Sequence, residues 1–137
     1  MTKSVGLAII ELANYFENAR PDIVVVPVDR FESLAMASAA ALMNIPVAHT
    51  QGGEVTGTID ESIRHAITKL AHIHFASTQG ARERIIKMGE PENLVFNVGC
   101  PGTDLLLQAP QWSAVQTLET VNNYVKDTRY TLDVGKP

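Results

Sequence analysis

The 137-residue sequence lacks several features that would assign it to common classes of protein. Cys100 is its only cysteine, so no disulfide can form within the chain and nothing indicates an oxidising compartment. With 11 Lys and Arg residues against 15 Asp and Glu, its formal net charge is -4, and it has no basic stripe to neutralise a phosphate backbone. We therefore expect no nucleic-acid partner and a cytoplasmic location.

Long hydrophobic runs and a secretion signal are also lacking. The most apolar stretch, residues 33–48, is interrupted by Asn44 and Pro46 and is too short to span a bilayer. The N-terminus has no sustained apolar run that ends at a small-residue cleavage site. The sequence therefore predicts neither a membrane segment nor a secretory leader.

What the sequence contains is the pattern of an α/β domain, with 45% hydrophobic and 19% charged residues. Short apolar runs alternate with segments of helical periodicity. The predicted strands are 22–29, 45–49, 72–76 and 94–98, and the predicted helices include 5–19, 31–44, 79–88 and 114–126. A further helix, with Ile63, Ile67 and Leu70 on one face, is predicted to follow a capping box at residues 58–61. This order predicts a Rossmann-like parallel sheet with helices on both faces and with sites at the carboxyl ends of the strands.

Polar residues gather where two of these strands end. Asp29 and Arg30 directly follow the first strand, where they could act as a base and an anion clamp, or only as a helix cap and a surface ion pair. A glycine-rich bend follows the second strand and is dense in titratable groups. The candidate residues there are His49, Gln51, Glu54, Asp60, Glu61, Arg64 and His65.

Glu61 is a candidate general acid or base, because the neighbouring carboxylates Asp60 and Glu54 could tune its pKa. It also completes a capping box with Thr58, which is a purely structural role. Arg64 and the adjacent histidine lie one turn further along, so they can share a helix face with Glu61. The cluster is therefore either one wall of an active site or a solvated helix face on which Arg64 pairs with Glu61.

The remaining histidines and glycines indicate no cofactor. His72 and His74 alternate on a predicted strand, but no ligand spacing typical of a zinc site accompanies them. Gly52 and Gly53 belong neither to a dinucleotide fingerprint nor to a P-loop, so we expect no metal and no bound NAD or ATP. Cys100, in a second bend, is typical of a packing residue.

Four spaced segments of the chain form a specific set. They are Asp29-Arg30-Phe31, the run from His49 to Glu54, residues 58–70, and Gly99-Cys100-Pro101. Together they resemble the hydrolysing UDP-N-acetylglucosamine 2-epimerases, and most closely the branch that serves sialic and legionaminic acid synthesis. The similarity covers most of residues 4–108, and the whole set is far more specific than any motif within it.

Members of that family have two Rossmann-like domains in the glycosyltransferase-B arrangement, with the active site between them. The resemblance implies that residues 1–110 are a partial N-terminal domain and that residues 111–137 form a helical linker or tail towards a missing second domain. It also implies that a base removes the C2 proton of a UDP-sugar, that UDP leaves by anti elimination, and that water adds to the glycal to release N-acetylmannosamine. No metal or cofactor is implied, and we expect this chain alone to be weakly active or inactive.

The resemblance also implies roles for individual residues. The catalytic carboxylates correspond to Asp29 and Glu61, with Glu54 as a third candidate. The implied substrate-binding residues are Arg30, His49, Gln51, Gly52, Gly53, Asp60, Arg64 and His65. Gln51 stands where other branches have a catalytic glutamate, and Val28 replaces the glycine that usually precedes Asp29, which could alter the geometry of that carboxylate.

Two other functions fit the same sequence. A glycosyltransferase half domain would share the sheet without the Glu61 cluster, and the run from His49 to Glu54 favours the epimerase. A non-catalytic nucleotide-sugar-binding or dimerisation module would self-associate without activity. Family members commonly form homodimers through the first domain, so we expect a homodimer that binds a UDP-sugar.

Overall fold

The structure is a computed structural model, and it describes residues 1–109 and 112–124. The chain divides into two compact units, Met1–Pro101 and Gly102–Pro137. This division falls nine residues before the predicted boundary at residue 110. The candidate site residues all lie in the first unit, which the following paragraphs describe.

The first unit is built on a four-stranded parallel sheet. The strands are β1 (Val24–Pro27), β2 (Val47–Thr50), β3 (Ile73–Ala76) and β4 (Val95–Asn97), and they lie side by side in chain order. The helices are α1 (Thr2–Ala19), α2 (Phe31–Leu42), α3 (Ile59–Leu70), α4 (Gln79–Lys87) and α5 (Pro101–Gln108), of which α5 begins at the boundary between the units. The predicted alternation of strands and helices, and the Rossmann-like parallel sheet, are confirmed.

Helices α2, α3 and α4 connect successive neighbouring strands. Because such crossovers are right-handed and the strands follow one another in a single direction, all three helices lie on the same face of the sheet, whereas helices on both faces were predicted. The core beneath them is closely packed because α2 contributes small side chains. Its buried members are Phe16, Val24, Val26, Ala37, Ala39, Ala40, Val47, Ile67 and Ala71.

The opposite face of the sheet carries alternate residues of the same strands. Val25 is 56% exposed and Phe96 is 44% exposed on this face. The rings of Phe75 and Phe96, which are partners in the register of β3 and β4, stack with centroids 5.9 Å apart. The unbroken row of valines in β1 predicts a central strand buried on both faces, and this is wrong, because β1 lies at the edge of the described sheet and its residues alternate between buried and exposed.

The ends of the helices explain most of the element boundaries. Arg20 adopts a left-handed conformation (φ 47°) and closes α1 through a hydrogen bond from its N–H to the Phe16 carbonyl. The Thr78 hydroxyl caps α4 by accepting from Ala81 N at 3.1 Å. α5 was not predicted, because the sequence around Pro101 was interpreted only as a bend, although proline favours the first position of a helix.

The second unit contains α6 (Ala114–Tyr124). This helix confirms most of the one predicted over residues 114–126, whose last two residues lie outside the described part of the chain. Within the residues that the structure describes, no helix combines the length and the hydropathy that a membrane crossing needs.

Candidate active site

The predicted site residues lie at the edge of the sheet where the strands end. β1 is followed by Val28 and Asp29, and β2 is followed by the glycine-rich bend. Since β1 and β2 are parallel neighbours, both loops emerge at the same edge. Sequence reasoning placed the two segments at this edge correctly, and α3 supplies the residue that joins them.

Arg64 of α3 links the two loops. Its Nη2 donates to the Asp29 carboxylate, and its Nη1 donates to the Glu54 carbonyl oxygen at 2.7 Å. The Arg64 side chain is 7% exposed and that of Asp29 is 22% exposed, so the ion pair is largely shielded from water. Pairing of Arg64 with Glu61, which the sequence left open, is therefore wrong, because the long side chain reaches across to the end of β1.

A cavity of about 300 Å³ opens between the end of β1 and the start of α3. This volume is at the lower end of the range for small-molecule sites. The cavity is lined by charged Asp29, Arg30 and Asp60 and by apolar Phe31, Ile59 and Ile63, together with Met1. Carboxylates and a guanidinium beside apolar side chains can hydrogen-bond hydroxyl groups, and the carboxylates can also give or take protons.

Glu61 is held by the backbone of the preceding loop. Its Oε2 accepts from Gly57 N at 2.7 Å and from Thr56 N at 2.8 Å. These two hydrogen bonds, that from Gly57 first, lower the pKa of Glu61 below its ordinary value, so the side chain is a carboxylate at neutral pH. Both backbone donors use the same oxygen, which leaves Oε1 for another partner.

The predicted capping box does not form. Thr58 precedes α3, but its side chain makes no capping hydrogen bond, and its hydroxyl lies 3.5 Å from an Asp60 carboxylate oxygen. Glu61 reaches back beyond Thr58 to Thr56 and Gly57, because the glycine-rich loop turns their N–H groups towards it. The structural role of Glu61 is thus to hold the loop at Thr56 and Gly57, and it does not cap α3.

His65 lies one turn after Glu61. Its Nε2 is 3.9 Å from Glu61 Oε1, and its Nδ1 is buried without a hydrogen-bond partner in the described part of the chain. A buried ring nitrogen without a partner is costly and uncommon in folded proteins. The unpartnered Nδ1 is buried and the other ring nitrogen, Nε2, faces Glu61, so contact of His65 with substrate stays a prediction.

His49 is fully buried beneath the end of the sheet. Its Nε2 is 2.9 Å from the Val28 carbonyl oxygen, and its Nδ1 is 3.3 Å from the Thr68 hydroxyl, which also contacts the Arg64 carbonyl at 3.0 Å. Burial lowers the pKa of His49 to about 4, although the hydrogen bond to Val28 opposes the shift, so the ring is neutral at pH 7. We call Val28, Asp29, His49, Arg64 and Thr68 the edge network.

The glycine-rich bend depends on close packing. A Cβ at position 53, where φ is +76°, would lie 2.3 Å from the Ala81 carbonyl oxygen, so only glycine fits there. A Cβ at position 52 would lie 2.9 Å from His49 Nδ1. Gln51 (φ 60°) donates from Nε2 to Cys100 Sγ at 3.4 Å. Binding of substrate by Gln51 and the two glycines stays a prediction.

Val28 has an unusual conformation. Its φ is 52°, in the left-handed region that glycine adopts easily and that is an outlier for a β-branched residue. This is the position where the resemblance led us to expect glycine. The backbone therefore keeps a left-handed conformation before Asp29 although the side chain disfavours it.

Two contributors to the site were not predicted. Thr68 connects His49 to Arg64, and Arg84 of α4 donates to the Gly53 carbonyl oxygen. Thr68 follows Arg64 by one helical turn, a spacing that could have identified it. Nothing in the sequence indicates the contact of Arg84, which depends on the packing of α4.

Within residues 1–109 and 112–124, no three His, Cys, Asp or Glu side chains converge in a way that could hold a metal ion.

Comparison with known proteins gives a consistent picture. A family profile described as UDP-N-acetylglucosamine 2-epimerase matches residues 1–134. Over 108 residues the chain is 47% identical to the UDP-N,N'-diacetylbacillosamine 2-epimerase (hydrolyzing) of Legionella pneumophila, which covers 79% of this chain and 29% of that protein. Over 100 residues it is 46% identical to the GDP/UDP-N,N'-diacetylbacillosamine 2-epimerase (hydrolyzing) of Campylobacter jejuni, covering 72% and 26% of the two chains.

Solved structures agree with these sequence relatives. The UDP-GlcNAc 2-epimerase of Methanocaldococcus jannaschii, in complex with UDP-GlcNAc and UDP, superposes with a TM-score of 0.76 at 27% identity. The match covers 90% of this chain and 35% of that protein. The chain thus spans about a third or less of the length of the proteins that it matches.

Proposed function

The chain belongs to the UDP-N-acetylglucosamine 2-epimerase family, and from this premise we propose that it supplies one wall of the active site of a hydrolysing epimerase for UDP-2-acetamido sugars. The observation that carries the proposal is the meeting of Asp29, Arg64 and the Glu54 backbone at one edge of the sheet. They lie beside a cavity that Asp29, Arg30 and Asp60 line. A surface ion pair alone would not require this burial.

The proposed reaction has two steps. A carboxylate takes the proton from C2 of the sugar while the bond from C1 to the UDP oxygen breaks, and a C1–C2 double bond forms. Water then adds its oxygen at C1, and a proton returns to C2 on the opposite face. The products are UDP and the 2-epimer of the sugar, N-acetylmannosamine or its derivative, and a proton donor and acceptor on each face is sufficient for both steps.

We assign the acceptor role to Glu61. Its lowered pKa keeps it ionised, and both backbone donors contact Oε2 while Oε1 faces the His65 ring at 3.9 Å. Glu61 does not line the cavity itself but lies on α3 between Asp60 and Ile63, which do. Asp29, fixed by Arg64 at the cavity, is the second catalytic carboxylate. Glu54 is the third candidate, for the role that the family's glutamate at position 51 has in other branches.

The substrate-binding roles follow the same geometry. Arg30 and Asp60 line the cavity, and His65 lies beside Glu61, so these three would contact the sugar or its phosphates. Arg64 would act mainly by holding Asp29 in place. Contacts from Gln51, Gly52 and Gly53 are the remaining substrate-binding predictions, whereas the predicted contact from His49 conflicts with its full burial.

A second acetamido group on the sugar is the substrate feature that the relatives favour. The proteins that are 47% and 46% identical are both named for N,N'-diacetylbacillosamine, whereas the Neisseria meningitidis UDP-N-acetylglucosamine 2-epimerase is 37% identical. The apolar side chains of Phe31, Ile59 and Ile63 in the cavity suit an additional acetyl methyl group. We therefore propose UDP-N,N'-diacetylbacillosamine as a better substrate than UDP-N-acetylglucosamine.

Turnover requires more protein than this chain provides, because the match covers only 29% of the Legionella relative. We propose that the diphosphate and the uridine bind mainly to parts of the enzyme beyond the matched region. A homodimer and a cytoplasmic location are further predictions. The alternative is a nucleotide-sugar-binding or dimerisation module without activity.

Release of UDP tests the proposal. The purified chain is incubated with each UDP-sugar, alone and with the separately expressed remainder of the Legionella relative. We expect release only in the mixture, at least 100-fold slower with Glu61→Gln and unchanged with the exposed control Glu17→Gln. No release from folded components, together with retained self-association, would favour the non-catalytic module.

A further inference from the structure

The backbone that presents Asp29 is in a conformation that its own sequence disfavours. Val28 lies between the end of β1 and Asp29 and has a φ of 52°. Residues in sparsely populated backbone regions persist only where the surrounding structure holds them, and they concentrate at functional sites. A contact from the surrounding structure must therefore hold Val28 in its left-handed conformation.

The contact in place is a hydrogen bond from the neighbouring strand. His49 Nε2 lies 2.9 Å from the Val28 carbonyl oxygen. A carbonyl oxygen can only accept, so Nε2 carries the hydrogen, and because the ring is fully buried, water cannot compete for this bond. His49 therefore fixes the peptide group that leads directly into Asp29.

The orientation of the ring is itself fixed. Thr68 Oγ1 lies 3.3 Å from Nδ1, and a Cβ at position 52 would approach Nδ1 to 2.9 Å, so the ring fits tightly between α3 and the glycine-rich bend. The Thr68 hydroxyl has a single hydrogen, which it donates to the Arg64 carbonyl, so its approach to Nδ1 is a packing contact, and the Arg64 guanidinium donates to the Asp29 carboxylate. His49 is thus connected to Asp29 both through its backbone and through its counter-ion.

We propose that His49 is a positioning residue, which holds the left-handed turn at Val28 and so fixes the Asp29 carboxylate without touching the substrate. This inference rests on the proposed role of Asp29 in the reaction. It replaces direct substrate binding as the role of His49, and it explains why a fully buried side chain stands between two segments of the site.

The test compares two substitutions of similar size in the chain as it exists. His49→Gln keeps an N–H donor near the position of Nε2, whereas His49→Met keeps the length and loses the donor. NMR couplings and carbon shifts of Val28 report its φ, and the carboxyl carbon shift of Asp29 reports its surroundings. We expect both signals to stay native in His49→Gln and to change in His49→Met.

A substitution at a second position, Val28, distinguishes a positioning role of His49 from a role in packing alone. In the double variant His49→Met with Val28→Gly, glycine adopts the left-handed conformation at position 28 without a steric penalty, so the turn no longer needs the hydrogen bond from His49. The Asp29 signal should therefore return towards its native value. A role in packing alone would not be repaired at position 28. Native Val28 and Asp29 signals in His49→Met, or no recovery in the double variant, would overturn the proposal.

The unaltered chain provides a measurement that does not depend on folding of the variants. A scalar coupling across the hydrogen bond between His49 Nε2 and the Val28 carbonyl carbon is expected, and its absence would overturn the proposal. In the reconstituted enzyme, His49→Met should lower kcat about 10-fold with KM within about 2-fold, and Val28→Gly should restore part of it. If the NMR results hold but no UDP is released, the proposed function fails and the positioning of Asp29 stands.

Discussion

Two buried histidines lie side by side in the sheet, and their surroundings differ. His49 on β2 and His74 on β3 are partners in the strand register, and both are fully buried. His49 contacts a backbone carbonyl and a hydroxyl, and it belongs to the edge network. His74 Nε2 lies 3.3 Å from the Glu90 carboxylate, which also pairs with Lys69.

The difference teaches that burial and charge alone do not identify a functional site. Lys69, His74 and Glu90, which we call the His74 cluster, connect α3 and the sheet to the turn after α4. Within the described residues neither ring nitrogen of His74 has a hydrogen-bond partner, so Glu90 faces the ring only as a nearby charge, and the cavity that Asp29 lines does not reach it. The edge network instead directs its contacts towards a carboxylate at a cavity, through a backbone that is itself strained. Substitutions in the two regions should therefore differ in kind as well as in size.

The largest effect on stability is expected at the centre of the edge network. Arg64→Met leaves the Asp29 carboxylate and the Glu54 carbonyl without their partner, so the free energy of unfolding should fall by about 3 kcal/mol. Urea denaturation measures it. The control is Arg30→Met, which removes an exposed pair with Glu32 and should cost less than about 0.5 kcal/mol. Equal losses of unfolding free energy in the two variants would show that the buried Arg64–Asp29 pair stabilises the fold no more than an exposed pair does.

The pH dependence of stability should separate the two histidines. Burial places the folded-state pKa of His49 at about 4, below its ordinary 6.5, so between these values the unfolded chain binds a proton that the folded chain does not. Stability should thus fall as the pH drops from 6.5 to 4, by about 3 kcal/mol from His49. Burial also lowers the pKa of His74, but the Glu90 carboxylate opposes the shift.

Denaturation at several pH values in His49→Gln and His74→Gln makes the comparison. The slope between pH 6.5 and 4 should flatten more in His49→Gln than in His74→Gln. A greater flattening in His74→Gln would show that burial lowers the pKa of His74 more than that of His49. The two histidines would then not differ in the way that their surroundings predict.

A smaller effect is expected within the His74 cluster. Glu90→Gln removes the charge that faces both His74 and Lys69 but keeps a hydrogen-bonding group, so the free energy of unfolding should fall by about 1.5 kcal/mol. Glu92→Gln, at an exposed pair with Arg82, is the matched control and should change it by less than about 0.5 kcal/mol. A loss as large as that of Arg64→Met would show that the His74 cluster and the edge network contribute equally to stability.

The smallest effect concerns the strained turn. Val28→Gly removes the penalty of a left-handed β-branched residue and increases the freedom of the unfolded chain, so a net gain of about 0.5 kcal/mol is expected in urea denaturation. Val25→Gly, in the regular part of β1, should instead lower stability. A loss of similar size at both positions would show that Val28 is not under strain.

The sequence predicted the alternation of elements because its apolar periods are strong. The β-branched run at 23–26 strongly predicts a strand, and the small residues that follow predict the helix α2. Once these elements are assigned to a parallel sheet, the two loops that carry Asp29 and the glycine-rich bend must meet at one edge. The location of the site followed from topology.

The contacts within the site could not be predicted in the same way. Local spacing favoured Glu61 as the partner of Arg64 and Thr58 as the partner of Glu61, and in both cases a longer-range or loop contact prevails. The burial of His49 depends on Gly52 and on the approach of α3, which no local pattern records. The catalytic and binding roles stay predictions that the geometry supports.

Deuterium incorporation at C2 tests the central claim most directly. The chain, with the remainder of the Legionella relative, is incubated with UDP-N,N'-diacetylbacillosamine in D2O, and the released sugar is analysed by mass spectrometry and NMR. The account predicts one deuterium at C2, loss of turnover with Glu61→Gln, and normal turnover with Glu90→Gln from the His74 cluster. A sugar released without deuterium at C2, or full turnover with Glu61→Gln, would contradict the claim that this edge of the sheet performs the proton transfer.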